Sequence, residues 1–128
     1  MALAWALPDE GSAFADAVLD QVIGLGGHVP FIFPAEFANG LVTASRRGRI
    51  GRKARTDALE FMKDLKLVRH PSDEDHIGAI VDLAESHGLT VYDALYLDLA
   101  LRLSLPLATL DRKLAAAAQR AGVPFAAQ

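Results

Sequence analysis

At 128 residues the chain has the length of one domain with room for one real core. Its 52% hydrophobic and 23% charged residues are those of a soluble globular protein, and the net charge of −3 gives no global signal for nucleic acid. With no cysteine, disulfides and thiolate metal sites are excluded, which fits the cytoplasmic location expected here.

The opening segment Ala2 to Leu7 reads as a short helix stopped by Pro8. It lacks a basic leader and is not read as a secretion signal. Ser12 can cap a second helix, with Phe14, Ala17, Val18 and Val22 at helical spacing and Gly24, Gly26 and Gly27 at its end. Val29 to Phe33 reads as a strand, and Pro34 opens a third helix, Ala35 to about Ser45. After a basic run comes a helix with Ala58, Phe61, Met62 and Leu65 on one face, then a strand at Leu67–Arg69. Pro71-Ser72-Asp73 starts a helix with a buried stripe of Ile77, Ile80, Val81 and Ala84, ended by Gly88.

Thr90 to Arg112 organises the rest. An apolar helix is followed by a tight turn at Ser104 to Pro106, a strand Leu107–Thr109 and a new helix start. The most apolar window, Ala94 to Ala108, contains Asp98, Arg102 and Pro106 and is too short to cross a bilayer. A last helix is closed by Gly122, and Val123–Ala126 is expected as a final strand. Helices alternating with short strands predict a single α/β domain over residues 1–128, a sandwich with a mostly parallel sheet.

Three acids then fall in first turns of helices: Glu36 after one predicted strand, Asp93 after the Thr90 cap, and Asp111 after the strand at Leu107–Thr109. Ligands of open α/β sheets bind at the carboxyl ends of strands. A set of oxygen ligands there suits Mg²⁺ or Mn²⁺, which polarises a phosphodiester. Each acid also has a structural reading: Thr90-x-x-Asp93 is a capping box, and Asp111 an N-cap. Asn39 shares a face with Glu36, and Thr109 can support Asp111.

Between residues 46 and 55 stand Arg46, Arg47, Arg49, Arg52, Lys53 and Arg55, with no acid among them. This run can grip RNA phosphates, or simply solvate a helix connection. Asp9 and Glu10 read as a solvated loop, and Asp98 as an i,i+4 partner of Arg102. His28, His70, His76 and His87 show no metal-ligand spacing.

Three patterns in order, Pro-x-Glu-x-x-Asn-x-Leu (Pro34 to Leu41), Tyr-Asp-Ala-x-Tyr (Tyr92 to Tyr96) and Thr-x-Asp-x-x-Leu (Thr109 to Leu114), resemble the PIN-domain ribonuclease toxins of the VapC kind. The resemblance covers essentially the whole chain. It implies a three-layer α/β/α sandwich and a Mg²⁺- or Mn²⁺-dependent endoribonuclease acting on transfer or ribosomal RNA. It also implies a cognate antitoxin and a homodimer. Carried over by position, Glu36, Asp93 and Asp111 match the metal-binding acids, and Asn39 and Thr109 the supporting polar residues. The resemblance further implies a central strand ending in a first catalytic Asp ahead of the segment Ala2–Trp5. That strand is absent from the sequence, so the chain as written is expected to lack one ligand. A misassigned start codon is the preferred explanation and degeneration the second. Two functions follow: a ribonuclease completed by an upstream Asp, or a catalytically dead module that binds an antitoxin or RNA.

Overall fold

The computed structural model describes residues 1–124 and falls into two compact units. The first takes Met1–Gly27 and Ile32–Val68; the second takes His28–Phe31 and the chain from Arg69 onward.

In the first unit, α1 (Ala2–Ala6) leads through a 3-10 turn (Pro8–Glu10) to α2 (Ala13–Leu25). Ser12 Oγ accepts the Ala15 N–H at 3.1 Å, so α2 starts at the residue whose hydroxyl can replace a missing carbonyl. Trp5 Nε1 donates to the Ala15 carbonyl at 2.8 Å, which fastens α1 to α2. The helix α3 (Phe33–Arg46) carries Gly40, where a Cβ would lie 2.5 Å from Leu3 Cδ1. Any larger residue at Gly40 would require the Leu3 side chain to move. Phe37, Leu41 and Ala58 form the buried cluster, with Leu3, Ile50 and Met62 packed against it. Ala58 comes from α4 (Arg52–Asp64), so the basic run ends inside a helix rather than in a loop.

The strands β1 (Gly27–Pro30) and β2 (Leu67–His70) pair in a two-stranded sheet. Gly27 N–H donates to Lys66 O at 2.8 Å, and Phe31 N–H to His70 O at 3.0 Å. Both strands advance by the same number of residues between these bonds, so the ladder is parallel. The first strand ends earlier than the expected Val29–Phe33. Phe33 and Pro34 already belong to α3, where proline's missing N–H costs nothing and its fixed φ favours the helix.

The second unit contains α5 (Glu74–His87), α6 (Val91–Leu103) and α7 (Arg112–Arg120). The Asp73 carboxylate accepts the His76 N–H at 2.8 Å and starts α5. The buried stripe of α5 is narrower than expected. Ile80 and Ala84 are buried and Leu83 is partly so, whereas Ile77 and Val81 are each 41% exposed. Ile77 and Val81 lie one above the other on a flank of the helix, off the line that faces the core.

Leucine occupies every second position from Leu95 to Leu107, a spacing that suits a strand. Helix wins up to Leu103 because the environment is apolar nearly all round: Ala94, Leu95, Leu97, Leu99 and Ala100 are all buried. Thr90 Oγ1 caps the start by accepting the Asp93 N–H at 3.1 Å. Ser104 ends the helix at φ 53°, a left-handed conformation usually left to glycine.

The strand expected at Leu107–Thr109 reduces to one bridging residue: Leu107 N–H donates to Pro124 O at 3.0 Å. Pro106 offers no N–H for a ladder, and Thr109 Oγ1 accepts the Asp111 N–H at 3.0 Å and turns the chain toward α7. Of the final strand expected at Val123–Ala126, residues 125–126 lie outside the described residues. The core here joins Leu97, Ala100, Leu107, Leu114, Ala117, Ala118 and Val123, with Tyr96 packed against it.

Candidate active site

Asp93 and Asp111 belong to the second unit, and the local chain explains where each stands. In a full capping box the acid's carboxylate would return to the N–H of Thr90. Only the Thr90 half of that exchange forms, and the half-buried Asp93 carboxylate has no hydrogen bond among the described residues. Asp111 is the exposed N-cap of α7, its Oδ1 accepting the Leu114 N–H at 2.8 Å. Its Oδ2 is uncommitted among the described residues. Thr109 is brought onto Asp111 through the backbone bond already described, so it positions the acid by fixing the turn. Both acids stand at helix N-termini, where backbone N–H groups face outward.

Glu36 and Asn39 belong to the first unit. Glu36 is exposed in the first turn of α3, and Asn39 follows one turn later, also exposed. Burial lowers the proton affinity of the Met1 amino group, and the charges of Glu10 and Glu36 act against that loss.

Among the described residues, no three His, Asp or Glu side chains gather into a group able to hold a metal ion. The donors are nevertheless of the right kind for a hard divalent cation. They are carboxylate oxygens, with both of Asp93's and one of Asp111's left open, and Mg²⁺ commonly uses one or two carboxylates and fills its other positions with water and phosphate oxygens.

The basic run is not uniform. Arg49 Nη2 bonds Asp9 Oδ1 at 2.8 Å and Glu10 Oε1 at 3.2 Å, so the expected solvated loop at Asp9–Glu10 is a salt-bridge partner. The Arg49 guanidinium holds the Asp9 carboxyl below the usual carboxylate range, and Asp9 in turn raises Arg49. Lys53 pairs with Asp57 at 2.7 Å, which raises its proton affinity. Arg46, Arg47 and Arg52 are exposed, with no ion-pair partner among the described residues.

Two histidine contacts escape a reading of the sequence. Asp98, 8% exposed, receives Arg102 Nε at 2.7 Å, the expected i,i+4 pair, and also His76 Nε2 at 3.0 Å. His28 and His70 meet across the sheet, Nδ1 to Nε2, at 2.9 Å. His76 and Arg102 also line a polar cleft of about 370 Å³ with Pro71, Ser72, Asp73 and Asp75. Neither Asp93 nor Asp111 reaches that cleft, so it is separate from the candidate acids.

The PIN-domain family profile matches residues 2–120. Ribonuclease VapC3 of Pyrobaculum aerophilum is 37% identical over 113 residues, covering 85% of this chain and 82% of that protein. The crystal structure of PAE2754 from Pyrobaculum aerophilum matches with a TM-score of 0.64 at 29% identity, over 83% of this chain and 79% of that one. No helix among the described residues is long and apolar enough to cross a membrane. With a family match over nearly its whole length and a relative of this similarity, the chain belongs to the PIN-domain family and is of the VapC type.

Proposed function

We infer that this chain is a divalent-metal-dependent endoribonuclease, the toxin of a toxin–antitoxin pair, with Glu36, Asp93 and Asp111 as its metal-holding acids. The observation that carries this reading is the open Asp93 carboxylate. It sits at the N-terminus of a 13-residue helix, has no structural hydrogen bond to make among the described residues, and lies in a chain similar to Ribonuclease VapC3. Bound Mg²⁺ or Mn²⁺ supplies Lewis-acid charge at the scissile phosphodiester. Asp93 would hold the ion through its open carboxylate, and Asp111 through the oxygen that does not cap α7. Thr109 keeps Asp111 in place, and Asn39 supports Glu36 from the next turn of α3. Arg46, Arg47 and Arg52 grip the RNA backbone as bidentate phosphate ligands; Arg49 and Lys53 join them by exchanging their present acids for phosphate. Transfer or ribosomal RNA is the substrate, and a cognate antitoxin covers the site.

The alternative, a module that binds RNA or antitoxin without cutting, draws its support from the absence of a three-acid group among the described residues. Mn²⁺-dependent cleavage of a mixed transfer and ribosomal RNA pool separates the two. Asp93→Asn should abolish cleavage and leave the fold intact, and full activity in that variant would sink the enzyme reading. RNA binding with no turnover by the unaltered chain supports the module. Asp111 permits a sharper split. Asn caps a helix as well as Asp does, whereas Ala costs about 1 kcal/mol. Asp111→Asn should therefore lose cleavage at unchanged stability, and Asp111→Ala should lose both.

A further inference from the structure

We propose that His28 and His70 form a chelating site for a borderline divalent transition-metal ion such as Zn²⁺ or Ni²⁺, different in chemistry from the carboxylates of Asp93 and Asp111. The two residues are 42 apart in sequence, and the parallel ladder brings them together. Gly27 stands beside Leu67, with only 3.1 Å between the place a Cβ would take and Leu67 Cδ2, so His28 and His70 occupy diagonal positions on one face of the sheet. Diagonal neighbours on adjacent strands are within reach of ring side chains.

The ring geometry favours convergence rather than stacking. Centroids lie 5.1 Å apart with planes inclined at 41°, and Nδ1 of His28 points at Nε2 of His70 across 2.9 Å. That contact needs one proton between two nitrogens, one ring donating and the other accepting. Two neutral rings with their outer nitrogens protonated would instead aim two lone pairs at a single point. Tetrahedral Zn²⁺ with Zn–N near 2.0–2.1 Å sets its ligand nitrogens about 3.3 Å apart. Opening the pair by about 0.4 Å needs only small side-chain rotations, and His28 is exposed and His70 half-buried.

Paired imidazoles select Zn²⁺, Ni²⁺ or Cu²⁺ over Mg²⁺ and Mn²⁺, which prefer oxygen. Ligands carried on strands are held more firmly than ligands on loops. Two protein donors leave the remaining positions of the ion to water or to a ligand from outside.

The test is calorimetric titration of the untagged full chain with Zn²⁺, beside His28→Ala, His70→Ala and the double variant. One Zn²⁺ per chain is expected. Each single substitution should weaken binding roughly 100-fold, because losing one donor removes the chelate advantage. Excess Mg²⁺ should not displace the ion, and Asp93→Asn/Asp111→Asn should bind it unchanged. Equal affinity and stoichiometry in the wild type and the His28→Ala/His70→Ala chain would overturn the proposal. Nitrogen chemical shifts give an independent readout at the atoms. Zn²⁺ should move His28 Nδ1 and His70 Nε2; a shift confined to the opposite nitrogens would equally overturn it.

Discussion

Asp98 and Asp9 each hold an arginine, yet the two units give these pairs different weight. In the second unit Asp98 is buried on α6, with both oxygens engaged, one by Arg102 from its own helix and one by His76 from α5. In the first unit Asp9 has a side chain 64% exposed, and its contact with Arg49 faces water. Geometry alone would rank them equal, since both include a bond of 2.8 Å or less. Solvent decides otherwise: an exposed pair exchanges one set of water contacts for another, whereas a buried carboxylate has no substitute for the partners it loses.

The largest effect should come from the apolar setting of Asp98. Leu97→Ala empties a fully buried position in the α6–α7 core and should cost about 3 kcal/mol in urea unfolding. Asp98→Ala should cost about 2 kcal/mol, because Arg102 and His76 stay behind without their acceptor. A loss no greater than that of an exposed substitution would break the comparison. Arg49→Ala should leave the unfolding midpoint at neutral pH almost unmoved, and raising the salt concentration should erase what difference remains. The acid limb sharpens this last case. Folded Asp9 binds its proton less tightly than in the unfolded chain, so the pair adds stability above the usual carboxylate range. That increment disappears as pH falls through the depressed value. Unfolding curves of wild type and Arg49→Ala should therefore converge at low pH.

What could be read from the sequence was local. Ser12, Asp73, Thr90 and Asp111 each signal a helix start within three residues, and each caps as its chemistry predicts. The apolar helix at 91–103 and the Asp98–Arg102 pair were legible for the same reason. Contacts fixed by tertiary register were not. Nothing near His28 or His70 announces that their strands will pair, and nothing near His76 announces Asp98. The strand expected at Leu107–Thr109 shortened to the bridge at Leu107, because Pro106 removes a donor on one side and the Thr109 hydroxyl turns the chain on the other. For the candidate site, the residue types and their helix-start positions were legible. The difference between a committed carboxylate at Asp111 and an open one at Asp93 was not, because it depends on hydrogen bonds that only the folded turns create.

The alternating leucines of α6 have a consequence for the chain before it folds. In an extended conformation, Leu95 to Leu107 would line one face of a strand, the arrangement on which cross-β assembly feeds. Asp98, Arg102 and Pro106 interrupt this segment, two with charge and one with a missing donor. The carboxylate that ties α5 to α6 in the native state therefore also places a charge within the segment of the unfolded chain best patterned for strand pairing.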